Sequence, residues 1–241
     1  MNNKLNIAII GASGAVGAGF VHLLSARPDT GTLHAFARRP FVSDKTNVFH
    51  HQIDIEQEDS IESAAAVASG YGPLDLVIVA TGILHTVDFQ PEKSLRDLSA
   101  EKLARIFAVN TTGPALVAKH FLPLLNRERR CVFAALTARV GSISDNELGG
   151  WYAYRASKAA LNMILKTASI EIARRNKLAI VVGLHPGTVQ SELSRPFAMS
   201  VKPEKLFTGE YSAGQLLNVI DTLKPEHSGR IYAWDGNEIA P

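Results

Sequence analysis

The chain has 241 residues, of which 46% are hydrophobic and 20% charged, a balance typical of a globular protein with a substantial core. The net charge is +2 and no long basic run is present, so nucleic acid is not expected as a partner. The single cysteine, Cys131, excludes an intrachain disulfide, and no run of about 18 apolar residues predicts a membrane span. We therefore expect a cytoplasmic protein that binds neither a membrane nor a metal ion.

Seven short apolar runs bounded by turn residues predict β-strands. They lie at residues 5–10, 32–37, 48–53, 74–80, 131–136, 178–184 and 230–234. Helical patterns lie between them near residues 15–26, 59–69, 99–124, 153–175 and 209–223. This alternation predicts a single α/β domain over residues 1–241, with a Rossmann-type, doubly wound parallel sheet of about seven strands and helices on both faces.

A glycine-rich segment, residues 11–17, joins the first predicted strand to the first predicted helix. Glycines at such a junction allow a tight turn and a close approach of the backbone to a pyrophosphate, while the helix directs free N–H groups towards the phosphates. We therefore predict dinucleotide binding at this turn. The cofactor contacts are assigned to Gly11, Ser13, Gly14, Ala15, Val16 and Gly17.

The end of the second strand indicates which dinucleotide is bound. An acidic residue there would favour NAD, whereas the sequence has Arg38 and Arg39, whose guanidinium groups suit a 2′-phosphate. We therefore expect NADP(H) to be preferred over NAD(H), the alternative being a solvated basic turn. After the third strand, Asp54 and Ile55 are assigned to the adenine, with ordinary loop contacts as the alternative.

Tyr154 and Lys158 lie four residues apart at the start of a helical pattern, so both side chains share one helix face. A cation beside a phenol stabilises the phenolate and lowers the pKa of the tyrosine. Such a tyrosine exchanges protons near neutral pH and suits acid–base catalysis. Alone, this spacing also fits a solvated helix face, but the glycine-rich segment in the same chain favours a catalytic pair.

Several motifs occur together in the order seen in the short-chain dehydrogenase/reductase family. They are the glycine-rich segment 11–17, Asn110, the pair Tyr154 and Lys158, and the pair Pro186 and Gly187. The stretch 149–162 resembles the carbonyl-reductase and C-factor-like branch in particular. The resemblance covers nearly the whole chain.

The resemblance implies a role for each catalytic residue. Tyr154 would protonate the substrate oxygen as hydride arrives from the nicotinamide, and Lys158 would hold the nicotinamide ribose and lower the pKa of Tyr154. Asn110 lies in a helical pattern that Pro114 interrupts by removing a hydrogen bond. In the family this break holds a water in a proton relay to the lysine; a kink-stabilising amide is the alternative role for Asn110.

The segment after the sixth strand resembles the part of the family fold that meets the nicotinamide carboxamide. The residues assigned to it are Pro186, Gly187, Thr188, Val189 and Ser191. The resemblance also implies a substrate lid at about residues 192–210. Family members often pair through the helices that carry Asn110 and Tyr154, so a homodimer or homotetramer is implied.

Two segments depart from the family pattern. The first is Val79-Ala80-Thr81-Gly82, where the family usually has Asn-Asn-Ala-Gly, so only Gly82 matches. The small residues there still admit a cofactor. We therefore keep Ala80, Thr81 and Gly82 as cofactor contacts.

The second departure concerns the family's catalytic serine, which hydrogen-bonds the substrate carbonyl. When the sequence is anchored on Gly141, the serine position falls on Ala138, which has no hydroxyl. Thr137 is our first choice as the replacement hydroxyl donor and Ser142 the second. Such a donor would stabilise the negative charge that develops on the substrate oxygen.

The motifs together predict an NADP-dependent oxidoreductase that acts on a small-molecule carbonyl or alcohol. A second hypothesis is a cofactor-binding signalling or regulatory protein with little catalysis, because the serine is missing. A third is nucleotide-sugar epimerisation or dehydration, suggested by the glycine spacing, although 241 residues leave little room for the larger substrate domain of those relatives.

Overall fold

A computed structural model describes residues 4–39, 44–200 and 203–241. The strands are β1 (Leu5–Ile10), β2 (Thr30–Ala37), β3 (Val48–Gln52), β4 (Leu76–Val79), β5 (Cys131–Leu136), β6 (Ala179–His185), β7 (Thr188–Val189), β8 (Leu206–Phe207) and β9 (Ile231–Ala233). The helices are α1 (Ala15–Ser25), α2 (Glu58–Ser69), α3 (Ala100–Phe107), α4 (Gly113–Phe121), α5 (Tyr152–Ala173) and α6 (Gly209–Thr222). Residues 201–202 of the predicted lid lie outside the described residues.

Seven strands form one parallel sheet in the order β3-β2-β1-β4-β5-β6-β9. The order reverses on either side of β1, which places the carboxyl ends of β1 and β4 beside each other at a switch point where ligands bind in such sheets. The doubly wound parallel fold predicted from the strand and helix pattern is therefore confirmed.

The sheet is buried on both faces, which explains its continuous apolar strands. Along β1, Ile7 and Ile9 belong to the core beneath α1 and α6, whereas Ala8 and Ile10 belong to the core beneath α2, α4 and α5. Because side chains alternate across a strand, each apolar run supplies both cores. The two cores fix the helices that carry the candidate site against the sheet.

The predicted helix at 99–124 is interrupted. Between α3 and α4 the backbone forms a π-helix over Ala108–Thr112, which confirms the local break predicted from Pro114. Gly113 follows it, and a β-carbon there would lie 2.9 Å from the carbonyl oxygen of Ile55. The break thus combines a missing proline N–H with a close approach of two backbones.

Two further features bear on the sequence predictions. Cys131 is fully buried, and burial raises the pKa of its thiol to about 11, which disfavours the reactive thiolate. Within the described ranges, none of the helices is long and apolar enough to cross a membrane.

Candidate active site

The turn between β1 and α1 depends on glycine. Gly11 has φ +89°, and a β-carbon there would lie 2.9 Å from the carbonyl carbon and oxygen of Ala80. A β-carbon on Gly17 would overlap the carbonyl oxygen of Gly11. Without side chains at these positions, β1, β4 and α1 can approach one another closely at this turn.

The N-terminus of α1 is open to a ligand. Gly14 is the N-cap residue, so no side chain caps the helix, and no acidic residue occupies the first turn. The first N–H groups of a helix have no partner inside the helix, and the helix dipole favours an anion there. Ser13 is exposed beside this end. The residues predicted as contacts therefore lie at a helix end that suits an anion; they are Ser13, Gly14, Ala15 and Val16.

Arg38 and Arg39 follow β2 at the same edge of the sheet. Both are exposed, and within the described part of the chain neither guanidinium group forms a hydrogen bond or ion pair. The N–H groups of Gly11 and Ala12 each donate to the carbonyl oxygen of Phe36 at 2.9 Å. These bonds hold the turn between β1 and α1 against the end of β2. Two unengaged cations therefore lie beside the turn.

Asp54 and Ile55, assigned to the adenine, also make local contacts. The Oδ1 atom of Asp54 accepts the N–H of Glu56 at 3.0 Å, a turn that the carboxylate forms with its own loop. Ile55 is buried in the core and its side chain lies against Gly113. The structure places both residues at the carboxyl end of β3 and gives each a structural contact of its own.

The exit from β4 lies between the turn at Gly11 and the pair Tyr154 and Lys158. The hydroxyl of Thr81 is buried without a hydrogen-bond partner in the described chain, and the side chain lies against Gly11. A β-carbon on Gly82 would lie 3.4 Å from Oδ1 of Asn110 and 3.5 Å from Nζ of Lys158. The predicted residues Thr81 and Gly82 therefore lie between the two halves of the site, and a β-carbon on Gly82 would be in van der Waals contact with Lys158.

Asn110 lies within the π-helix and is fully buried. Its Oδ1 atom accepts the N–H of Ile83 at 2.8 Å, and its Nδ2 atom donates to the carbonyl oxygen of Ile83 at 2.8 Å and to Oγ of Ser157 at 3.2 Å. The side chain thus joins the β4 exit to α5. This bridging role agrees with the structural alternative for Asn110.

Tyr154 and Lys158 lie on one face of α5, both buried. Nζ of Lys158 donates to the carbonyl oxygen of Leu136 at 2.9 Å and lies 5.9 Å from the centre of the Tyr154 ring. Burial raises the pKa of Tyr154 to about 12 and lowers the pKa of Lys158 to about 8. The expected lowering of the tyrosine pKa is wrong for this structure, because burial desolvates the phenolate and raises the pKa instead.

The hydroxyl donors expected after β5 are directed elsewhere. Oγ1 of Thr137 donates to Oδ1 of Asn162 at 2.6 Å, and Oγ of Ser142 binds Oγ of Ser144 and accepts the N–H of Asp145. Thr137 and Ala138 point to opposite faces because they are consecutive in an extended backbone. Ala138 packs with Tyr154. The arrangement therefore does not support Thr137 or Ser142 as the donor to a substrate at Tyr154.

An apolar cluster packs around Tyr154. Its buried members are Leu84, Ala138 and Tyr154, and partly buried side chains pack against them from Val140, Trp151, Leu193 and Phe197. Leu193 and Phe197 belong to the segment predicted as a lid. Nε2 of His85 lies 3.1 Å and 3.2 Å from the carbonyl oxygens of Glu192 and Leu193, which holds this segment against the β4 exit.

The segment after β6 forms a small two-stranded sheet. Thr188 and Val189 pair with Leu206 and Phe207, and Gly187 has φ +74°. A β-carbon on Gly187 would lie 2.6 Å from the Phe207 ring, so this turn needs glycine. Oγ of Ser191 donates to the carbonyl oxygen of Val189 at 3.3 Å. Oγ of Ser212 donates to the carbonyl oxygen of Pro186 at 2.7 Å, which anchors the segment on α6.

Sequence reasoning missed several residues that the fold brings to the site. They are Leu84, His85, Glu92 and Ser157. Ser157 lies between Tyr154 and Lys158, which is a usable signal. The other three lie in a loop without periodicity, and only the tertiary structure brings that loop to α5.

Known proteins resemble this chain in both sequence and fold. A family model described as short chain dehydrogenase matches residues 6–200. C-signal of Myxococcus xanthus is 37% identical over 168 residues, which cover 70% of this chain and 93% of that protein. The 1-hydroxy-2-glutathionyl-2-methyl-3-butene dehydrogenase of Rhodococcus sp. is 32% identical over 185 residues, 76% of each chain.

Solved structures share the fold over almost the whole chain. Carbonyl reductase Sniffer of D. melanogaster has a TM-score of 0.85 at 24% identity, and the NADPH-bound carbonyl reductase from chicken fatty liver has 0.82 at 24% identity. Each covers 99% of this chain and 100% of the solved chain. At these identities the similarity establishes the fold.

Proposed function

Because the chain belongs to the short-chain dehydrogenase/reductase family of oxidoreductases, as its motifs predicted, we propose that it is an NADP(H)-dependent reductase of a small carbonyl compound, or a dehydrogenase of the corresponding alcohol. One observation carries the proposal. Tyr154 and Lys158 are buried side by side at the carboxyl edge of the sheet, and Gly82 connects them to the glycine turn of a dinucleotide site.

The residues at this edge fit a dinucleotide. The open N-terminus of α1 suits the pyrophosphate, and Arg38 and Arg39 suit a 2′-phosphate. Next to Gly82 there is space that a side chain would fill, and the buried hydroxyl of Thr81 has no partner among the described residues. The site is thus complementary to phosphate at one end and to a neutral ribose and ring at the other.

We assign the remaining cofactor contacts to the segments that border the carboxyl edge of the sheet, which we call the candidate groove. Asp54 and Ile55 would lie at the adenine end, and Pro186, Gly187, Thr188, Val189 and Ser191 at the nicotinamide end. A bound nicotinamide supplies or accepts the hydride.

Tyr154 is the proton donor in the reducing direction. Its raised pKa of about 12 keeps the phenol protonated at neutral pH, as an acid requires. Lys158 has a pKa of about 8 and remains largely cationic at pH 7, so it stabilises the phenolate that forms when the proton leaves. Asn110 holds the β4 exit and α5 together beside the lysine, which fixes the geometry of proton transfer.

The apolar cluster around Tyr154 favours an apolar carbonyl compound as the substrate. Leu84, Trp151 and Phe197 surround the tyrosine with hydrocarbon and aromatic surface. Ala138 supplies no hydroxyl, so Tyr154 acts as the side-chain donor to the substrate oxygen without help from the usual serine. We expect slower turnover than with two donors, since one such donor contributes about 10²–10³ in rate in other enzymes.

The proposal is tested first by fluorescence titration of the protein with NADPH and NADH at the same ionic strength. The expected result is saturable binding of both, with NADPH bound more tightly. A carbonyl panel of apolar ketones and aldehydes follows, with NADPH oxidation as the readout. Failure to bind either nucleotide would contradict the proposed function.

A second candidate function is a cofactor-binding signalling protein with little catalysis. Ala138 at the serine position favours it, as does the 37% identity to a protein named C-signal. This candidate predicts NADPH binding without NADPH oxidation across the panel. Turnover that depends on Tyr154 would exclude it.

The proposed function also concerns the chain as a whole. We propose that it acts as one domain, with residues about 192–210 closing over the substrate, in the cytoplasm and as a homodimer or homotetramer. Size-exclusion chromatography with light scattering measures the assembly directly.

A further inference from the structure

The turn that leads into the catalytic helix adopts an unusual backbone conformation. Gly149, Gly150 and Trp151 have φ values of 63°, 67° and 52°, all in the left-handed region. Trp151 is the N-cap residue of α5, and its side chain makes no capping hydrogen bond. A bulky residue is held in this region only when its surroundings enforce it. Some other group must therefore hold this turn.

Glu92, from the loop between β4 and α3, holds it. The carbonyl oxygen of Glu92 accepts the N–H of Trp151 at 2.6 Å, and its side-chain Oε2 accepts the N–H of Ala153 at 3.3 Å. Ala153 is the second residue of α5, and its amide is one that a capping side chain normally serves. Glu92 thus supplies from a distant segment the cap that Trp151 lacks.

The charge of the buried Glu92 carboxylate needs a compensating group. Glu92 is only 3% exposed, and among the described residues it forms no ion pair. A buried carboxylate is costly unless a compensating group faces it. Here the compensating group is the positive end of the α5 dipole. The carboxylate therefore belongs to the N-terminus of the helix that carries Tyr154.

A second set of hydrogen bonds, from Arg155 of α5, holds the same turn. Nε of Arg155 donates to the carbonyl oxygens of Gly149 and Gly150 at 3.2 Å and 3.0 Å. The loop that carries Glu92 also carries Leu84, which packs on Tyr154. Contacts from this loop thus reach both the first turn of α5 and the tyrosine ring.

We propose that Glu92 is a positioning residue, which caps α5 in trans and thereby fixes Tyr154 against the β4–α3 loop. Its effect on turnover rests on the proposed oxidoreductase function. The role requires an oxygen acceptor at this position, and a glutamine supplies one whereas a methionine of similar volume does not.

The kinetic test compares Glu92→Gln, Glu92→Met and a control, Glu101→Ala, which removes an exposed acid from the first turn of α3. We expect Glu92→Met to lower kcat about 10- to 100-fold, since small displacements of a catalytic group have effects of this order. NADPH affinity should stay unchanged. Glu92→Gln and Glu101→Ala should retain nearly the full kcat. Equal loss in the Gln and Met variants, or no loss in either, would overturn the proposal.

Amide hydrogen exchange measures the cap without relying on turnover. In Glu92→Met, amides in peptides that cover residues 152–156 should exchange faster than in the unsubstituted protein. In Glu92→Gln, the same amides should exchange as slowly as in the unsubstituted protein. If the protein oxidises no NADPH with any substrate, the proposed function fails, yet this exchange pattern still decides whether Glu92 positions the helix. Unchanged exchange in Glu92→Met would refute the positioning role.

Discussion

The two ends of the candidate groove match the family pattern to different degrees. The turn from β1 to α1 retains each glycine that the close approach of the backbones requires. At the end of β5, by contrast, the position that we predicted for the family's catalytic serine is Ala138, which packs with Tyr154 and has no hydroxyl. In the proposed function, the turn from β1 to α1 binds the cofactor and the end of β5 with α5 stabilises the reacting oxygen. Substitutions can therefore test each of these two parts separately.

The largest effect is expected from Tyr154→Phe at the catalytic end. Removing the proton donor should lower kcat by about 10²–10⁴, the contribution typical of general acid catalysis, and leave NADPH affinity nearly unchanged. Tyr152→Phe, two residues earlier on α5, is the matched control. Turnover at the full rate in Tyr154→Phe would remove Tyr154 from the mechanism.

Ala138→Ser sharpens the comparison by restoring the family residue. A hydroxyl beside Tyr154 would add a second donor to the substrate oxygen, so kcat should rise, at most by about 10²–10³. The measurement is steady-state NADPH oxidation with the best substrate of the panel. An unchanged or lower kcat, in a variant whose melting temperature is unaltered, would show that the missing hydroxyl does not limit the reaction.

The double substitution Arg38→Ala and Arg39→Ala addresses the cofactor end. Hydrogen bonds to charged groups contribute about 1.5–3 kcal/mol, so Kd for NADPH should rise about 10- to 100-fold, with little change for NADH. Arg127→Ala, an exposed cation that precedes β5, is the control. Equal weakening of both nucleotides would contradict the assignment of a 2′-phosphate site.

Thr137→Val separates a structural hydroxyl from a catalytic one. We expect kcat to change little, because Oγ1 of Thr137 donates to Asn162. The free energy of unfolding should fall by about 1–3 kcal/mol, since the amide oxygen loses its donor, and Tm by about 2–4 °C for each of these kcal/mol. A large loss of kcat would reinstate Thr137 as the donor.

The smallest effect at neutral pH concerns two histidines of the sheet, His34 on β2 and His185 at the end of β6. His34 is fully buried with Nδ1 3.1 Å from Nε2 of His51, and burial lowers the pKa of His34 to about 4. Burial likewise lowers the pKa of His185 to about 4. The unfolded chain, with histidine pKa near about 6.5, then binds more protons than the folded chain. Stability should therefore fall as the pH decreases from about 6.5 to about 4.

Melting curves recorded across this pH range measure that loss. His34→Phe, which retains a ring at this position, should flatten the dependence. If the Tm of the unsubstituted protein is as high at pH 4 as at pH 7, the burial of neutral histidines does not govern acid stability.

Much of the fold was predictable because its determinants are local. The apolar run at 131–136 coincides with β5, and Pro114 indicated the break that appears as a π-helix. The glycine turn and the Tyr154–Lys158 spacing likewise depend on neighbours in sequence. These features identify the two ends of the groove without a structure.

The remainder depends on contacts between distant segments. The Thr137 hydroxyl donates to Asn162 of α5. The sequence reveals neither the face of the sheet to which Thr137 points nor that Asn162 lies opposite it. The raised pKa of Tyr154 reflects its burial in an apolar cluster that distant segments of the chain form together. Glu92 contacts α5 across about sixty intervening residues, a separation at which no periodic pattern operates.

The central claim is that Tyr154 protonates a substrate to which hydride is transferred from NADPH. The most direct measurement uses NADPH deuterated at carbon 4 of the nicotinamide, an apolar ketone or aldehyde from the panel, and mass spectrometry of the product. The account predicts deuterium on the product carbinol carbon with the unsubstituted protein, and almost none with Tyr154→Phe at saturating cofactor. Deuterium transfer at the same rate in both proteins, or in neither despite tight NADPH binding, would contradict it.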